Sequence, residues 1–134
     1  MKSLFSRDNR VFLGMAQDLL VLMIAGVHIY LWWHYGYRFI PKVGIGFILA
    51  SIFGVVAVIA HSIFRFRVFH LIFTAFALCL LGGYGLALYL PQGIFGFIEP
   101  GISKFGMAAI ISESILAVLS LAAVAKNSGR KNLK

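Results

Sequence analysis

Ionisable side chains inside apolar stretches are the residues of this chain most suited to chemistry. Asp18 and Glu113 are carboxyl groups within stretches that otherwise carry no charge. An ionisable group at membrane depth is costly and by default marks a functional site. Such a carboxyl can carry protons in a transporter, or it can bond to a helix of a partner protein. Asp18 and Glu113 are therefore candidate intramembrane polar sites.

Two histidines flank a short basic segment, with His61 on one side, His70 on the other, and Arg65 and Arg67 between them. Imidazoles from adjacent helices can ligate a haem iron from both faces, and the arginines can pair with its propionates. A tight turn makes it hard to open the slot that the macrocycle needs. Each histidine can equally bond to a backbone carbonyl or lie among lipid headgroups. Haem ligation and a structural role therefore stand as alternatives.

His28 lies four residues before Trp32, so the two share a helix face. There His28 can ligate a haem or a chlorophyll-type pigment, bind a quinone, or satisfy a hydrogen bond inside a helix bundle. His34 is six residues further on, which does not place both histidines on one face. The sequence shows neither a Cys/His cluster with metal-site spacing nor a serine with an obvious base and orienting acid. We therefore predict neither metal ligands nor catalytic residues.

Membrane-spanning helices must position these side chains. A helix rises about 1.5 Å per residue and needs about 20 apolar residues to cross roughly 30 Å of hydrocarbon. The chain has 134 residues, of which 61% are hydrophobic and 12% are charged, and it contains four charge-poor stretches of that length. The sequence predicts an all-α integral membrane protein, a single domain of four helices in an up-down bundle with a basic polar tail at 126–134. The predicted spans are 11–33, 43–63, 69–90 and 105–125.

The basic residues predict how the chain is oriented in its membrane. With the N-terminus inside, nine Lys and Arg residues lie on the cytoplasmic side and three lie on the opposite side. The positive-inside rule then places both termini in the cytoplasm, and we expect a prokaryotic inner membrane. The net charge of +8 comes from residues at the span ends, which favours contact with lipid headgroups and argues against nucleic acid.

Two further patterns concern packing. Gly46, Ala50 and Gly54 repeat every four residues, and a stripe of small side chains lets helix backbones approach closely. The connection at 91–101 is apolar but contains glycine and proline, which predicts a short irregular or helical segment at the membrane interface.

Function follows from the sequence only as a class. The chain has little mass outside the membrane and no convergent set of polar residues. We therefore expect an accessory or structural subunit of a larger membrane complex, in respiratory or photosynthetic electron transfer, that stabilises subunits and a bound cofactor or lipid. Haem, a chlorophyll-type pigment and quinone are the cofactors considered, and catalytic activity of its own is not expected. Two alternatives are a small homo-oligomeric proton-coupled transporter that uses Glu113 and a small b-type cytochrome.

Overall fold

The computed structural model describes residues 7–65 and 67–129, and side chains are described for 10–65 and 67–125. Four α-helices make up most of this part of the chain. A short 3₁₀ turn, Tyr37–Phe39, lies between the first two helices. The helices are α1 (Arg7–His34), α2 (Pro41–Phe64), α3 (Val68–Tyr89) and α4 (Lys104–Gly129).

All four helices are long and apolar enough to cross a membrane, which confirms the predicted all-α membrane fold. Even α3, with 22 residues, is about 33 Å long at the helical rise, against roughly 30 Å of hydrocarbon. Large apolar side chains such as Phe12 and Leu19 point outwards, as a lipid-facing surface requires. The spans fall within two residues of the predicted bounds, at Arg10–His34, Pro41–Phe64, Val68–Tyr89 and Lys104–Ala125.

Local sequence determines where the helices begin and end. Pro41 occupies the first turn of α2, where its missing N–H removes no intrahelical bond. Arg65 adopts the left-handed conformation, with φ of 49°, and its N–H bonds back to the last turn of α2. Ser103 caps α4, because its hydroxyl accepts a hydrogen bond of 2.9 Å from the Gly106 N–H. Since α4 continues through Gly129, the first part of the predicted polar tail is helical.

Helix α1 packs against both α2 and α4, and α3 packs against α4. Near the start of α1, Asp18 contacts His61 at the end of α2, and Gln17 contacts Ser120 towards the end of α4. These contacts make α1 antiparallel to both neighbours. The end of the bundle that carries the short α2–α3 turn is named the turn end below. The opposite end, with the longer α1–α2 and α3–α4 connections, is named the connection end.

Adjacent helices meet in two different ways. A Cβ at Gly54 would lie 3.2 Å from the Ala25 Cβ, so part of the predicted small-residue stripe does contact α1. The Ser51 hydroxyl adds a hydrogen bond of 3.0 Å to the Ala25 carbonyl. Between α2 and α3, large rings make the contact instead, with the Phe53 and Phe76 centroids 5.1 Å apart. Thus α1 and α2 approach closely, whereas α2 and α3 are held further apart by aromatic side chains.

Buried apolar side chains form two clusters. The larger lies among the helices and includes Val21, Phe73 and Leu116, all fully buried. The smaller lies at the connection end and consists of Leu31, Tyr37 and Val43, against which the partly buried Ile94 and Phe97 of the α3–α4 connection pack. The predicted interface segment at 91–101 is therefore an irregular stretch whose apolar side chains cover the connection end of the bundle.

Candidate functional site

A cavity of about 180 Å³ lies in the connection-end half of the bundle. All four helices and the α3–α4 connection contribute to its wall, and most of that wall is apolar. Six polar or charged residues also line it: His28, Tyr37, Lys42, Tyr84, Glu99 and Glu113. A mostly apolar cavity with a few converging polar groups is the usual form of a small-molecule site.

Glu113 and His28 form an acid–histidine pair in this cavity. Glu113 Oε1 lies 3.8 Å from His28 Nε2, beyond hydrogen-bond length, and both side chains are buried. His28 Nδ1 lies 2.9 Å from the Ile24 carbonyl, which can only accept, so Nδ1 carries the proton. In neutral His28, Nε2 is then a lone-pair acceptor that faces the carboxyl. A molecule that bridges the gap would allow a proton to pass between Glu113 and His28.

Tyr84 also lines this cavity and carries an unsatisfied hydroxyl. The hydroxyl oxygen is buried and has no hydrogen-bond partner within the described part of the chain. Gly106 makes room for it, because a Cβ at that position would lie 2.6 Å from the oxygen. Glu99 and Glu113 line the same cavity. A tyrosine O–H placed this way is a donor available to a bound acceptor.

Tyr37 and Glu99 close the connection end of the cavity. The Tyr37 hydroxyl donates a hydrogen bond of 2.7 Å to Glu99 Oε2, and both residues are buried. Burial and this bond to Glu99 raise the pKa of Tyr37 well above its ordinary value, so the phenol stays a donor. The Tyr37 ring stacks on Phe47 with centroids 4.6 Å apart. Gly44 permits the turn to sit so close, since a Cβ there would lie 2.7 Å from the Tyr37 carbonyl oxygen.

The second carboxyl of the spans, Asp18, pairs with His61 at the turn end. His61 Nδ1 donates a hydrogen bond of 2.7 Å to Asp18 Oδ1, which ties α1 to α2. The His61 ring also packs against Phe69 and Phe73, with centroids 5.3 and 5.4 Å away. This pair has the length of a strong charge-assisted hydrogen bond and an apolar enclosure. It therefore acts as a connection between helices.

His70 lies beside this pair. Its ring centroid is 6.3 Å from that of His61 and the rings are edge to face, and its Nδ1 is buried without a partner among the described residues. Arg65 and Arg67 are both exposed at the same end. The predicted haem ligands and their basic neighbours thus lie together, and haem ligation there stays a prediction. Within the described part of the chain, no group of three or more His, Cys, Asp or Glu is arranged to hold a metal ion.

The predicted site residues therefore fall into two separate groups. His28 and Glu113 meet at the cavity, whereas Asp18 and His61 meet at the turn end, with His70 beside them. Asp18 and His28 are ten residues apart on α1, or about 15 Å along its axis. The pairing of each span carboxyl with its own histidine was not predicted from the sequence.

Three cavity residues were missed by sequence reasoning, namely Tyr37, Tyr84 and Glu99. Tyr37 belongs to an aromatic-rich segment typical of a membrane interface, and Tyr84 is surrounded by glycines that suggest only a loosened helix. The position of Glu99 in the sequence could have identified it as a candidate site residue. The chain has four acidic residues, and this one lies in an apolar connection that is otherwise uncharged.

No protein-family model, curated protein or solved structure matches this chain. The case for its function therefore rests on the geometry of the cavity and of the two acid–histidine pairs.

Proposed function

We propose that this protein is an accessory subunit of a membrane electron-transfer complex and binds a quinone-type cofactor in the connection-end cavity. Glu113 is the observation that carries the proposal. Its side chain is buried, lines the cavity and makes no hydrogen bond to the described part of the chain. A buried carboxyl without a hydrogen-bond partner is destabilising. A ligand that bonds to it would offset that cost.

The size and lining of the cavity support a single ring as the headgroup. An apolar cavity of about 150 Å³ takes up one benzene ring, and this cavity measures about 180 Å³. A quinone is an apolar ring with two carbonyl acceptors, so it needs donors at its edges. The Tyr84 hydroxyl supplies one donor, and a protonated Glu113 supplies another. His28 Nε2, as an acceptor, can exchange a proton with Glu113 through the ligand.

The exposed surface supports the subunit part of the proposal. Large side chains protrude around the connection end, including Trp33, Phe39 and Tyr89. Such apolar surface suits neighbouring subunits as well as lipid. A partner seated there would lie beside the cavity, where electrons would have to arrive. The excess of basic residues at the turn end and the termini supports a placement of that end in the cytoplasm of a prokaryotic cell.

Tyr84→Phe tests the proposal by removing one hydroxyl from the cavity. Purified protein in nanodiscs would be titrated with decylubiquinone, with binding followed by quenching of tryptophan fluorescence. We expect Tyr84→Phe to bind about tenfold more weakly, since one lost hydrogen bond of about 1.4 kcal/mol is a factor of ten. Tyr89→Phe is the matched control, because Tyr89 is on the same helix and 82% exposed. It should bind as the wild type does.

Equal affinity of Tyr84→Phe and the wild type would contradict the assignment of the cavity as the binding site. An absence of wild-type binding to both decylubiquinone and its tail-less headgroup, dimethoxymethyl-benzoquinone, would refute the quinone proposal altogether. Extraction of the complex in mild detergent tests the subunit part independently. Partner subunits and a lipophilic cofactor should then purify together with the chain, whereas isolation of a cofactor-free single chain would contradict it.

A proton-coupled transporter is the second candidate, and the two acid–histidine pairs favour it. Glu113–His28 and Asp18–His61 lie in opposite halves of the bundle, as successive proton-binding groups along a membrane path would. Glu113→Gln separates the two candidates in proteoliposomes with an imposed pH gradient. A transporter would lose proton-coupled flux, whereas a quinone-binding subunit would show no such flux in the wild type either.

A further inference from the structure

The cavity has a wall of small residues between α2 and α3. On the α2 side it is lined by Gly46, where an added Cβ would meet no atom within 4 Å. On the α3 side it is lined by exposed Cys79 and by Gly83, where an added Cβ would meet only the Ile94 Cδ1, at 3.9 Å. These positions leave an opening between two helices of membrane length. The opening therefore faces hydrocarbon.

Aromatic contacts limit this opening along the helix axes. Towards the turn end, the Phe53–Phe76 contact joins α2 to α3. Towards the connection end, the Lys42 ammonium lies 5.8 Å from the Phe95 ring centroid, and both residues line the cavity. Lys42 and Phe53 are 11 residues apart, which is about 16 Å along α2. The opening is thus a slot, bounded at each end by side-chain contacts.

Side chains at the connection end cover the cavity on the side that faces water. At the connection end, Tyr37 stacks on Phe47 and meets Phe97 edge to face, with centroids 5.7 Å apart. Glu99 is held over the same region by its bond to Tyr37 and by its N–H, which donates to the Ala87 carbonyl at 2.9 Å. A ligand that entered from the aqueous side would have to break these contacts. A ligand that entered from the bilayer would pass the small residues Gly46, Cys79 and Gly83.

We propose that the α2–α3 slot is a lateral portal, through which a lipid-soluble ligand with a single apolar tail enters from the bilayer. The ring headgroup lies in the cavity, within reach of Glu113 and Tyr84. The tail leaves between Gly46 and Gly83 and stays in hydrocarbon. The inference rests on the proposed quinone site and adds the ligand class, a quinone with one long tail.

Gly83→Leu tests the portal, because a leucine there would fill the slot beside the cavity. Gly82→Leu is the matched control, since Gly82 is the adjacent residue on α3, does not line the cavity, and an added Cβ would meet nothing within 4 Å. Each variant in nanodiscs would be titrated with decylubiquinone and with its tail-less headgroup, dimethoxymethyl-benzoquinone. We expect Gly83→Leu to weaken binding of the tailed probe at least about tenfold more than binding of the headgroup, a difference of about 1.4 kcal/mol. Gly82→Leu should bind both probes as the wild type does.

The remaining outcomes separate failure of the portal from failure of the site. If the wild type binds the headgroup but not the tailed probe, or if Gly83→Leu leaves both affinities unchanged, the portal is wrong and the quinone site stands. An equal loss of both probes in Gly83→Leu would also overturn the portal, because the leucine would then be acting on the cavity itself. If the wild type binds neither probe, the proposed function fails. Gly46→Leu, on the opposite wall, repeats the test should Gly83→Leu not fold.

Discussion

The Asp18–His61 hydrogen bond gives a stability prediction that follows directly from its geometry. The two side chains are 20% and 10% exposed, and the N–O distance is 2.7 Å. Interhelical hydrogen bonds measured in membranes average about 0.6 kcal/mol and reach about 1.7 kcal/mol. Bonds to charged groups are roughly twice as strong as neutral ones. We therefore expect a coupling free energy of about 1–2 kcal/mol between the two side chains.

A double-mutant cycle of Asp18→Ala and His61→Ala measures this coupling. Unfolding by SDS in mixed micelles, followed by circular dichroism, would give the free energy of unfolding for each variant. Asp18→Ala alone should cost about 2–3 kcal/mol, since it leaves the His61 N–H buried without its partner. The control cycle pairs Asp18→Ala with Ser51→Ala, which removes a hydrogen bond in the same α1–α2 interface but away from Asp18. Those two changes should be additive within about 0.5 kcal/mol.

The reasoning is refuted if the Asp18–His61 coupling is below about 0.5 kcal/mol, the range in which independent sites are additive. It is also refuted if the control cycle shows a coupling of the same size. That result would mean that each substitution loosens the whole α1–α2 interface, so no free energy could be assigned to the bond between the two side chains.

Three further predictions concern other parts of the molecule. The pKa of Tyr37 is raised in the folded state, so its stabilising contribution is complete below about pH 10 and is lost as the pH rises through the raised pKa. The difference in thermal midpoint between the wild type and Tyr37→Phe should therefore become smaller from about pH 8 to about pH 11. A constant difference would contradict this. Gly54→Leu should lower the free energy of unfolding in SDS by about 1–3 kcal/mol or more, because the leucine side chain would clash with α1. At Gly26 an added Cβ would meet no atom within 4 Å, so Gly26→Leu should change the free energy of unfolding by less than about 0.5 kcal/mol. The purified chain should show no Soret band, since the Phe69 and Phe73 rings pack against the His61 imidazole and leave little room for a macrocycle; a Soret band that is lost in His61→Ala would instead identify a b-type cytochrome.

The four spans are predictable because charge is so costly in hydrocarbon that a stretch of about 20 apolar residues without charge is typical of a membrane span. The exceptions, Asp18 and Glu113, predict that α1 and α4 face protein; in the structure the Glu113 side chain is buried and the Asp18 side chain is 20% exposed. Their partners are not predictable in the same way. Apolar side chains surround each span, so no polar stripe marks the buried face, and helix rotation depends on many small packing contacts. The sequence therefore suggests His70, which is near His61 in the chain, as the partner of His61, whereas the structure pairs His61 with Asp18.

The cavity depends on contacts that only the folded chain brings together. Tyr84 lies beside the cavity because Gly106 on another helix has no side chain. Glu99 lies beside it because the α3–α4 connection folds back over the bundle. The sequence around Tyr84 or Glu99 does not indicate these contacts with distant parts of the chain. The charge pattern that predicts the spans carries no information about an irregular connection whose shape is set by tertiary contacts.

The two acid–histidine pairs differ in a way that separates structure from function. Asp18 and His61 are within 2.7 Å and bonded, whereas Glu113 and His28 are 3.8 Å apart beside a cavity, with no hydrogen bond from Glu113 to the described residues. Helix packing is enough to account for a bonded pair, whereas it gives no reason to hold a buried carboxyl and a buried imidazole apart beside a cavity. A further molecule at the cavity would supply the missing contacts, and packing alone would not favour leaving them unmade. We therefore propose the Glu113–His28 pair as the functional site, whereas the bonded Asp18–His61 pair is part of the scaffold that holds α1 against α2.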